Sequence, residues 1–393
     1  MHQQKDLILD EQWFRMADQE IEKASRSFAK SVNDTHHFGR LKFFPRLEVR
    51  QNFPEWLRIV IYIGSLIVGS GLAILVMSWA GVKPADLMQE LSVLLFSGTR
   101  TWAAVLAQTS PLIIAGLATA IAFRANFWNV GLEGQMILGT IFASFIAIYD
   151  VGPESFRLPL MALAAMIGGV IWIAPAGFLK FKLGINEVIT TLLMNYVAFN
   201  LLLHLLFGAW KDPVSGFPHS EQFDLVERLP GLGWENLSFA LPIAVLFVII
   251  IWWVFSFSRV GYLLNFVSSN PNMAKAVGVP VLGLSVAAII MSGAIGGMTG
   301  FTIATGVEFR MTKDFFSGFL FSGVLIAFLG RNHPLGVLVV ALFMALLILL
   351  GQSLQVFYQV PFALIQLIQA IFIICVAASE FFLTYRMHWK GPQ

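Results

Sequence analysis

The chain has 393 residues, of which 57% are hydrophobic and only 12% are Lys, Arg, Asp or Glu. A typical soluble domain carries about 25% charged residues, so this composition excludes a soluble globular enzyme. The net charge of +2 provides no basic field for nucleic acid, and the one cysteine, Cys375, allows neither an intrachain disulfide nor a cysteine-based zinc site.

A polar extension precedes the apolar part of the chain. Residues 1–56 have no early apolar core of the kind that marks a secretory signal. Within them, residues 7–32 interleave apolar and charged side chains, so this stretch either forms a helix on the membrane surface or remains disordered. The predicted division is an extension at 1–56, a transmembrane domain at 57–385 and a tail at 386–393.

Long uncharged stretches follow one another along the rest of the chain, and a helix that crosses a membrane needs about 20 mostly apolar residues. Two runs are marginal in length, 134–149 and 315–330, whereas 332–379 is long enough for two crossings. The remaining stretches each predict one crossing: 59–82, 101–123, 158–179, 188–210, 236–258 and 276–307. The sequence therefore predicts an all-α polytopic membrane protein with about ten transmembrane helices.

The distribution of Lys and Arg predicts the orientation of the chain. Ten of the 25 Lys and Arg residues lie in the first 58 positions, which places this end in the cytoplasm. An even number of crossings returns the C-terminus, with Arg386 and Lys390, to the same side. Under this orientation residues 209–238 form the longest external loop, which we interpret as a solvated connector rather than a surface for an extracellular partner.

Three polar residues stand at the beginning of one apolar segment. Asn129 and Glu133 precede the run 134–149, and Gln135 is its second residue. Polar groups at membrane depth are costly enough that a functional role is their default interpretation. The helix dipole also favours an acid such as Glu133 in a first turn. Helix capping and packing therefore remain an alternative to a role in gating or solute passage.

A second polar cluster lies in the segment after Lys182. Asn186 is a suitable N-cap, and Glu187, Thr190, Thr191 and Asn195 fall within about 140° of one another on a helical wheel. We expect this stripe to face the interior of the helix bundle. It either lines a solute pathway or gate, or supplies hydrogen bonds that hold helices together.

A short capped helix is predicted in the cytoplasmic loop between the spans that end near Ser258 and begin near Leu282. Asn270 suits the cap, Pro271 the first helical position and Gly278 the position after the end. Met273 and Val277 share one face and present an apolar knob to the cytoplasm. The candidate docking residues are Asn270, Pro271, Met273, Ala274, Val277 and Gly278.

The apolar segment after this loop contains two glycine pairs. Gly293/Gly297 and Gly296/Gly300 match the small-xxx-small spacing that lets helix backbones approach closely. This pattern predicts tight helix packing and no chemistry.

Four segments together resemble a known family. They are FRANFWNVGLEGQ at 123–135, GINEVITTLLMNY at 184–196, NPNMAKAVGV at 270–279 and AFLGRNHPLG at 327–336. The chain is similar over residues 57–385 to the permease subunits of bacterial ABC importers of the branched-chain amino acid and simple-sugar class, in the nucleoside and simple-sugar branch. It departs from the family pattern where Asn265 and Ser269 replace an arginine and a glycine, and where Met273 replaces the first of two alanines.

The resemblance implies a set of partners. The loop at 258–283 would hold the coupling helix that docks on a P-loop ATPase subunit, which would bind ATP and Mg. A second, related permease would form a heterodimer with this chain, and an extracytoplasmic solute-binding protein would deliver the solute. The expected location is the bacterial plasma (inner) membrane, as a multi-pass protein.

The sequence lacks the motifs of a P-loop nucleotide site and of a zinc metalloprotease. It contains neither G-x-x-x-x-G-K-[ST] nor H-E-x-x-H, so we expect no catalytic residues, no metal site and no cofactor bound by the chain itself. We expect a permease that moves a nucleoside or a simple sugar inward by alternating access. The alternative is a stand-alone secondary transporter or channel that uses Glu133 and Glu187 for ion or proton coupling.

Overall fold

The computed structural model describes residues 46–49, 54–96, 98–235, 237–316 and 318–388. Contacts within the chain define two compact units, one of residues 59–379 and one of residues 1–58 together with 380–393. The stretch 7–32, with its predicted surface helix, lies outside the described residues. The domain boundaries given above therefore remain predictions.

Thirteen α-helices occur in the described part of the chain. In chain order they are α1 (Glu55–Trp79), α2 (Pro84–Phe96), α3 (Thr99–Arg124), α4 (Leu132–Ile148), α5 (Glu154–Leu183), α6 (Glu187–Phe207), α7 (Ala240–Phe257), α8 (Arg259–Ser269), α9 (Pro271–Ala276), α10 (Val281–Ile303), α11 (Phe319–Leu329), α12 (Pro334–Tyr358) and α13 (Phe362–Thr384). A 3₁₀ turn covers Leu225–Glu227, and a π-helical segment, Ala304–Glu308, extends α10.

Eight of these helices are long and apolar enough to cross a membrane, namely α1, α3, α5, α6, α7, α10 with its π extension, α12 and α13. The two runs of marginal length, 134–149 and 315–330, correspond to helices shorter than these eight: α4 has 17 residues and α11 has 11. The chain is thus a multi-pass helical membrane protein. The predicted division of 332–379 into two crossings is confirmed, since α12 ends at Tyr358 and α13 begins at Phe362. The sequence reasoning missed α2 and α8.

Close backbone contact between α10, α5 and α4 forms the centre of the bundle. A Cβ atom added at Gly297 would collide with the carbonyl oxygen of Ala165, and one added at Gly139 would lie 2.5 Å from the Gly297 backbone. Gly293 is in similar contact with the Gly169 backbone. The prediction of tight packing from the small-xxx-small pairs is confirmed. Larger side chains would separate the three helices.

The smaller unit contains a two-stranded antiparallel sheet, which the all-α prediction did not include. Strand β1 (Arg46–Val49) pairs with strand β2 (Tyr385–His388). Arg46 lies opposite His388, and Val49 lies opposite Tyr385. Residues more than 300 positions apart are brought together here, which no local pattern in the sequence could indicate.

The long loop after α6 is packed onto the bundle and is not a plain solvated connector, so that interpretation was wrong. Its anchors are the buried side chains of Trp210, Phe223, Leu229 and Leu237. Backbone hydrogen bonds also tie it to the chain after α10, where Leu229 N–H donates to the Thr305 carbonyl oxygen and Phe223 N–H donates to that of Phe309, both at 2.9 Å. The apolar anchors and these hydrogen bonds fix the loop in place.

An ion cluster holds the same loop to the beginning of α5. Arg157 Nη1 lies 2.7 Å from Asp150 Oδ1 and 3.0 Å from Glu227 Oε1. The other Glu227 oxygen accepts the backbone N–H of Asp224 at 3.0 Å, which forms a capping box. Burial raises the pKa of the Glu227 carboxyl, while hydrogen bonds from Asp224 and Arg157 act in the opposite direction.

Asp212 organises the first turn of the loop. Its carboxylate accepts the backbone N–H groups of Val214, at 3.0 Å, and Ser215, at 3.3 Å. Hydrogen bonds from Ser215, foremost, and from Val214 lower the pKa of Asp212, and His219 contributes to the same shift. The turn is therefore stabilised by the ionised form of Asp212.

Candidate functional site

The connection between α3 and α4, residues 125–131, is irregular backbone that is packed inside the bundle. Phe127 and Asn129 in this connection are completely buried. Backbone N–H and C=O groups at such a depth need hydrogen-bond partners from the protein. The polar residues that the sequence analysis singled out provide many of these partners.

Two side chains of α6 hold this connection through its backbone. Val130 N–H donates to Thr191 Oγ1 at 3.2 Å. Asn195 bonds twice, since its Oδ1 accepts Gly134 N–H at 2.9 Å and its Nδ2 donates to the Val130 carbonyl oxygen at 2.9 Å. Asn195 thus provides hydrogen-bond partners for one backbone group at the end of the connection and for another in the first turn of α4.

An ion pair closes the turn between α5 and α6 over the same connection. Lys180 Nζ lies 2.6 Å from Glu187 Oε1, and it also donates to the Asn126 carbonyl oxygen at 2.6 Å. Glu187 Oε1 in turn accepts Trp128 N–H at 3.2 Å. Asn126, Lys180, Glu187 and Trp128 therefore form one cluster, which we call the clamp.

A third set of contacts joins the connection to α10. Asn129 Nδ2 donates to Ser292 Oγ at 3.3 Å, and Ser292 Oγ donates to the Ala118 carbonyl oxygen at 2.7 Å. Asn129 Oδ1 accepts from Gln135 Nε2 at 3.1 Å and from Gly131 N–H at 3.0 Å. Four elements, α3, the connection, α4 and α10, are thereby linked through neutral side chains.

The structure brings together five of the seven residues predicted for the pathway or gate. They are Asn129, Gln135, Glu187, Thr191 and Asn195. Thr190 lies apart, because its hydroxyl bonds to the Asn186 carbonyl oxygen within α6, and Glu133 is half-buried in the first turn of α4. The α6 stripe does face inward, as expected, while Ile189 and Leu193 are exposed. Roles in gating or solute passage remain predictions.

The capped helix predicted in the loop after α7 is present as α9. Asn270 Oδ1 accepts Met273 N–H at 3.0 Å, Pro271 is the first helical residue, and Gly278 has φ +82° just past the end. Met273 and Val277 are 55% and 62% exposed, so the apolar knob is open to a partner.

Ala274 does not belong to this exposed surface, contrary to the prediction. Its side chain is completely buried, whereas its neighbours on the helix, Met273 and Lys275, are exposed. The short helix therefore packs on the protein through Ala274. A docking partner would contact Met273 and Val277 and would not reach Ala274.

Two residues that the sequence reasoning did not select contact α8, in the loop after α7: Asn126, which belongs to the clamp, and Arg124, the last residue of α3. Asn126 Nδ2 donates to the carbonyl oxygens of Val267, at 3.0 Å, and Ser268, at 3.4 Å, both in α8. Arg124 Nη1 donates to Asn265 Oδ1 at 2.8 Å. The sequence feature that could have indicated this contact is Arg124 itself, because it is a charged residue at the end of an apolar span and has no acidic residue near it in the sequence.

Arg124 also reaches the turn between α11 and α12. Its Nε donates to the Asn332 carbonyl oxygen at 2.9 Å, and its guanidinium lies over the Phe255 ring at 4.1 Å from the centroid. Burial and the nearby Arg124 charge lower the pKa of His333, which lies in this turn. One side chain thus links the end of α3 to α7, to α8 and to the turn after α11.

A cavity of about 360 Å³ lies elsewhere in the bundle, and none of the predicted site residues lines it. It is bordered by α3, the π segment, α11, α12 and α13, and its lining combines amides, hydroxyls, acids and phenylalanines. The lining residues are Gln108, Pro111, Leu112, Ile303, Val307, Glu308, Thr312, Asp314, Phe315, Gly318, Phe319, Ser322, Ile348, Gln352, Ile365, Gln366 and Gln369. The glutamines within predicted spans were the sequence signal that could have indicated it.

Comparisons with known proteins give consistent results. Residues 101–377 match the family described as branched-chain amino acid transport system / permease component. The chain is 32% identical over 357 residues to the glucose ABC transporter permease protein TsgB13 of Haloferax volcanii, covering 87% of this chain and 93% of that protein. It is 28% identical over 321 residues to the guanosine ABC transporter permease protein NupP of Bacillus subtilis, covering 80% and 92%. A further guanosine ABC transporter permease of the same organism, NupQ, is 24% identical over 291 residues, covering 70% and 88%.

Proposed function

The chain belongs to the permease component family of branched-chain amino acid transport systems, and we propose that the solute it moves is a nucleoside. It is a transmembrane permease subunit of an ATP-binding-cassette importer, a transport subunit rather than an enzyme. Guanosine and glucose, the solutes that name its relatives, are uncharged and rich in hydroxyl groups. A simple sugar is the second candidate, because the glucose permease shares the higher identity with this chain.

The observation that carries the mechanism is the contact between Asn126 and α8, next to the exposed knob on α9. An ATPase subunit docks on Met273 and Val277, and ATP and Mg bind to that subunit. When the docked ATPases close and open, α8 and α9 move with them. Asn126, which belongs to the clamp, carries the motion from α8 to Lys180 and Glu187, and Arg124 holds the end of α3 to α8. The clamp then alternates access to the solute path by repositioning α4 and α6.

Asn129, Gln135, Thr191 and Asn195 act in gating within this mechanism by holding the 125–131 connection to α4, α6 and α10. Glu187 acts through the clamp, because its carboxylate is paired with Lys180 and with Trp128 N–H. The secondary-transporter alternative used Glu133 and Glu187 as carriers of protons or ions, and for Glu187 the structure shows a paired carboxylate. Its ion pair with Lys180 makes that role less favourable than a positioning role.

The orientation and partners of the importer follow from the same proposal. Both termini lie in the cytoplasm, and α4 and α11 complete about ten membrane-embedded helices. The chain resides in the bacterial inner membrane and pairs with a second, related permease, as the two guanosine permeases of Bacillus subtilis lead us to expect. An extracytoplasmic solute-binding protein delivers the nucleoside on the face of the long loop, residues 208–239.

Two measurements test this function. The first is purification of the chain from its native membrane in mild detergent, with co-purifying proteins identified by mass. Recovery of a P-loop ATPase and a second permease is expected, and a chain that remains alone after crosslinking contradicts the importer assembly.

The second measurement addresses the solute. Deletion of the gene should abolish uptake of labelled guanosine, and re-expression of the chain should restore it. Glucose and uridine serve as parallel substrates in the same cells. Loss of glucose uptake with guanosine uptake intact would replace the nucleoside with a simple sugar, and unchanged uptake of all three would refute both candidates.

A further inference from the structure

We propose that the cavity among α3, the π segment, α11, α12 and α13 is the solute-binding site of this permease, and that glutamine side chains recognise the solute there. The inference rests on the proposed function in that it assigns a binding site to the transported solute. It differs from the predicted pathway, whose residues lie in the clamp and its neighbours. The cavity has a size ordinary for a small-molecule site, about 360 Å³.

Glutamines from three helices meet in this cavity. Gln108 comes from α3, Gln352 from α12, and Gln366 and Gln369 from α13. Each primary amide offers two N–H donors and a carbonyl acceptor. Amides on membrane-spanning helices are costly when they face lipid, so their convergence on one cavity indicates a wet, polar surface. Such a surface binds hydroxyl and amide groups without requiring charge.

The backbone around the cavity departs from regular helix at two places. The π segment, Ala304–Glu308, contributes Val307 and Glu308, and such segments occur frequently at functional sites. The short helix α11 begins after Gly318, at φ +87°, and contributes Phe319 and Ser322. Irregular backbone at membrane depth is tolerated where it is buried in protein or lines a cavity, and in transporters broken helices are found at the solute site.

The chemistry of the lining selects the class of solute. None of the described residues that line the cavity is Lys or Arg, so the site has no cation to pair with a phosphate or carboxylate. The exposed carboxylates of Glu308 and Asp314 can accept hydrogen bonds from hydroxyls of a sugar ring. Phe315 and Phe319 contribute apolar surface against which a base or a sugar ring can pack. These features together fit an uncharged nucleoside.

The position of the cavity agrees with solute delivery at the end of the bundle opposite the docking loop. Its wall includes Thr312, next to Met311, and Met311 exchanges hydrogen bonds with Ser220 of the long loop: Ser220 N–H donates to the Met311 carbonyl oxygen at 3.0 Å, and Met311 N–H donates to Ser220 Oγ at 2.9 Å. The long loop therefore holds one wall of the cavity. A solute released on this loop would enter the cavity directly.

The first test compares uptake kinetics in cells that carry the complete transporter with the wild-type chain, Gln352→Ala or Gln355→Ala. Gln355 is the matched control, since it is an exposed glutamine of the same helix and does not line the cavity. We expect Gln352→Ala to raise the KM for guanosine about 3- to 10-fold, the worth of one neutral hydrogen bond, and Gln355→Ala to leave it unchanged. An unchanged KM in Gln352→Ala overturns the inference. If the cells transport glucose instead of guanosine, the nucleoside assignment fails. The KM of Gln352→Ala for glucose then tests in the same way whether the solute binds in this cavity.

The second test does not depend on uptake. In a Cys375→Ser background the single cysteine of this chain is removed, and Gln352→Cys or Gln355→Cys then gives the chain one thiol, whose labelling is followed on this chain within the assembled transporter. We expect a membrane-impermeant thiol reagent added outside to label Gln352→Cys, and guanosine to slow this labelling about 3-fold or more, with no effect on Gln355→Cys. A Gln352→Cys thiol that the reagent does not reach, or that guanosine, uridine and glucose all leave unprotected, contradicts a solute site in this cavity.

Discussion

Lys180 and Glu187 are seven residues apart in the chain, and their ion pair, 2.6 Å from Nζ to Oε1, closes the turn between α5 and α6. The same two side chains bind the backbone of the preceding connection, at the Asn126 carbonyl oxygen and at Trp128 N–H. One ion pair therefore holds α5, α6 and the connection at 125–131 together. Because Asn126 also contacts α8, the pair is connected through Asn126 to the loop after α7.

We expect Lys180→Met to destabilise the protein by about 1–3 kcal/mol, since Glu187 would keep its partly buried position without its cation. Lys182→Met is the matched control, because Lys182 is exposed two residues further along the same helix. The measurement is the thermal unfolding midpoint of the purified protein in detergent. The double variant Lys180→Met, Glu187→Gln should recover part of the loss, and a double variant as unstable as the sum of the single variants would contradict the pairing.

Val277→Asp should weaken docking of the ATPase. A charge placed on the exposed apolar knob must be desolvated at the interface, which should reduce co-purification of the ATPase about 10-fold or more. Val214→Asp is the control, because Val214 is 92% exposed on the long loop and the substitution is the same. Both variants should have wild-type unfolding midpoints. Normal ATPase recovery with Val277→Asp would exclude the knob from the interface.

Ala274→Arg should act on folding rather than on docking. Ala274 is completely buried, so the substitution buries a guanidinium and should lower stability by about 2 kcal/mol or more. Ala276→Arg, on the exposed side of the same short helix, should leave the unfolding midpoint within the error of wild type. Equal midpoints for the two arginine variants would show that Ala274 is not packed as described.

Gly297→Val should separate α10 from α5. A side chain at Gly297 meets the Ala165 carbonyl oxygen, and overpacking of this kind costs about 1–3 kcal/mol. Gly283→Val is the control, because it also lies in α10 and has open space around the added Cβ. The thermal unfolding midpoints of the two variants give the comparison. A midpoint for Gly297→Val as high as that for Gly283→Val would contradict the close helix contact.

The turn held by Asp212 should weaken at low pH. Since the folded-state pKa of Asp212 lies below its ordinary value, the stability it contributes is present above the ordinary value, about 3.9, and is lost as the pH falls through the lowered pKa. Wild type should therefore unfold at a higher temperature than Asp212→Asn at pH 6. The difference should shrink as the pH falls below about 4 and should be absent once Asp212 is protonated in both the folded and the unfolded protein. A difference that stays constant as the pH falls would show that the charge of Asp212 is not responsible.

Local signals predicted several features well. Asn270, Pro271 and Gly278 marked both ends of α9, because capping depends on residues next to the helix end. The inward stripe of α6 followed from the 100° rotation per residue. The glycine spacing of α10 predicted close packing without naming the partners, which are Ala165, Gly169 and Gly139 on two other helices.

Other features depended on distant parts of the chain and could not be predicted. Ala274 had the same local pattern as its exposed neighbours, and only the surface packed against it makes it buried. The side chains of Arg124 and Asn126 hydrogen-bond to α8, which is more than 130 residues away in the chain. The long loop looked solvated from its Pro, Gly and acidic residues, yet Glu227 pairs with Arg157 beneath it.

The sequence by itself determined that this protein is a helical membrane protein of the permease family, because hydrophobic length and helix capping are local properties and because its motifs are sufficiently specific. The tertiary structure alone decided which polar groups meet. A buried polar group must find a hydrogen-bond partner, and that partner need not be near it in the chain. Asn129 bonds to Ser292, 163 residues further along the chain, and Asn126 bonds to the Val267 carbonyl oxygen, 141 residues further along.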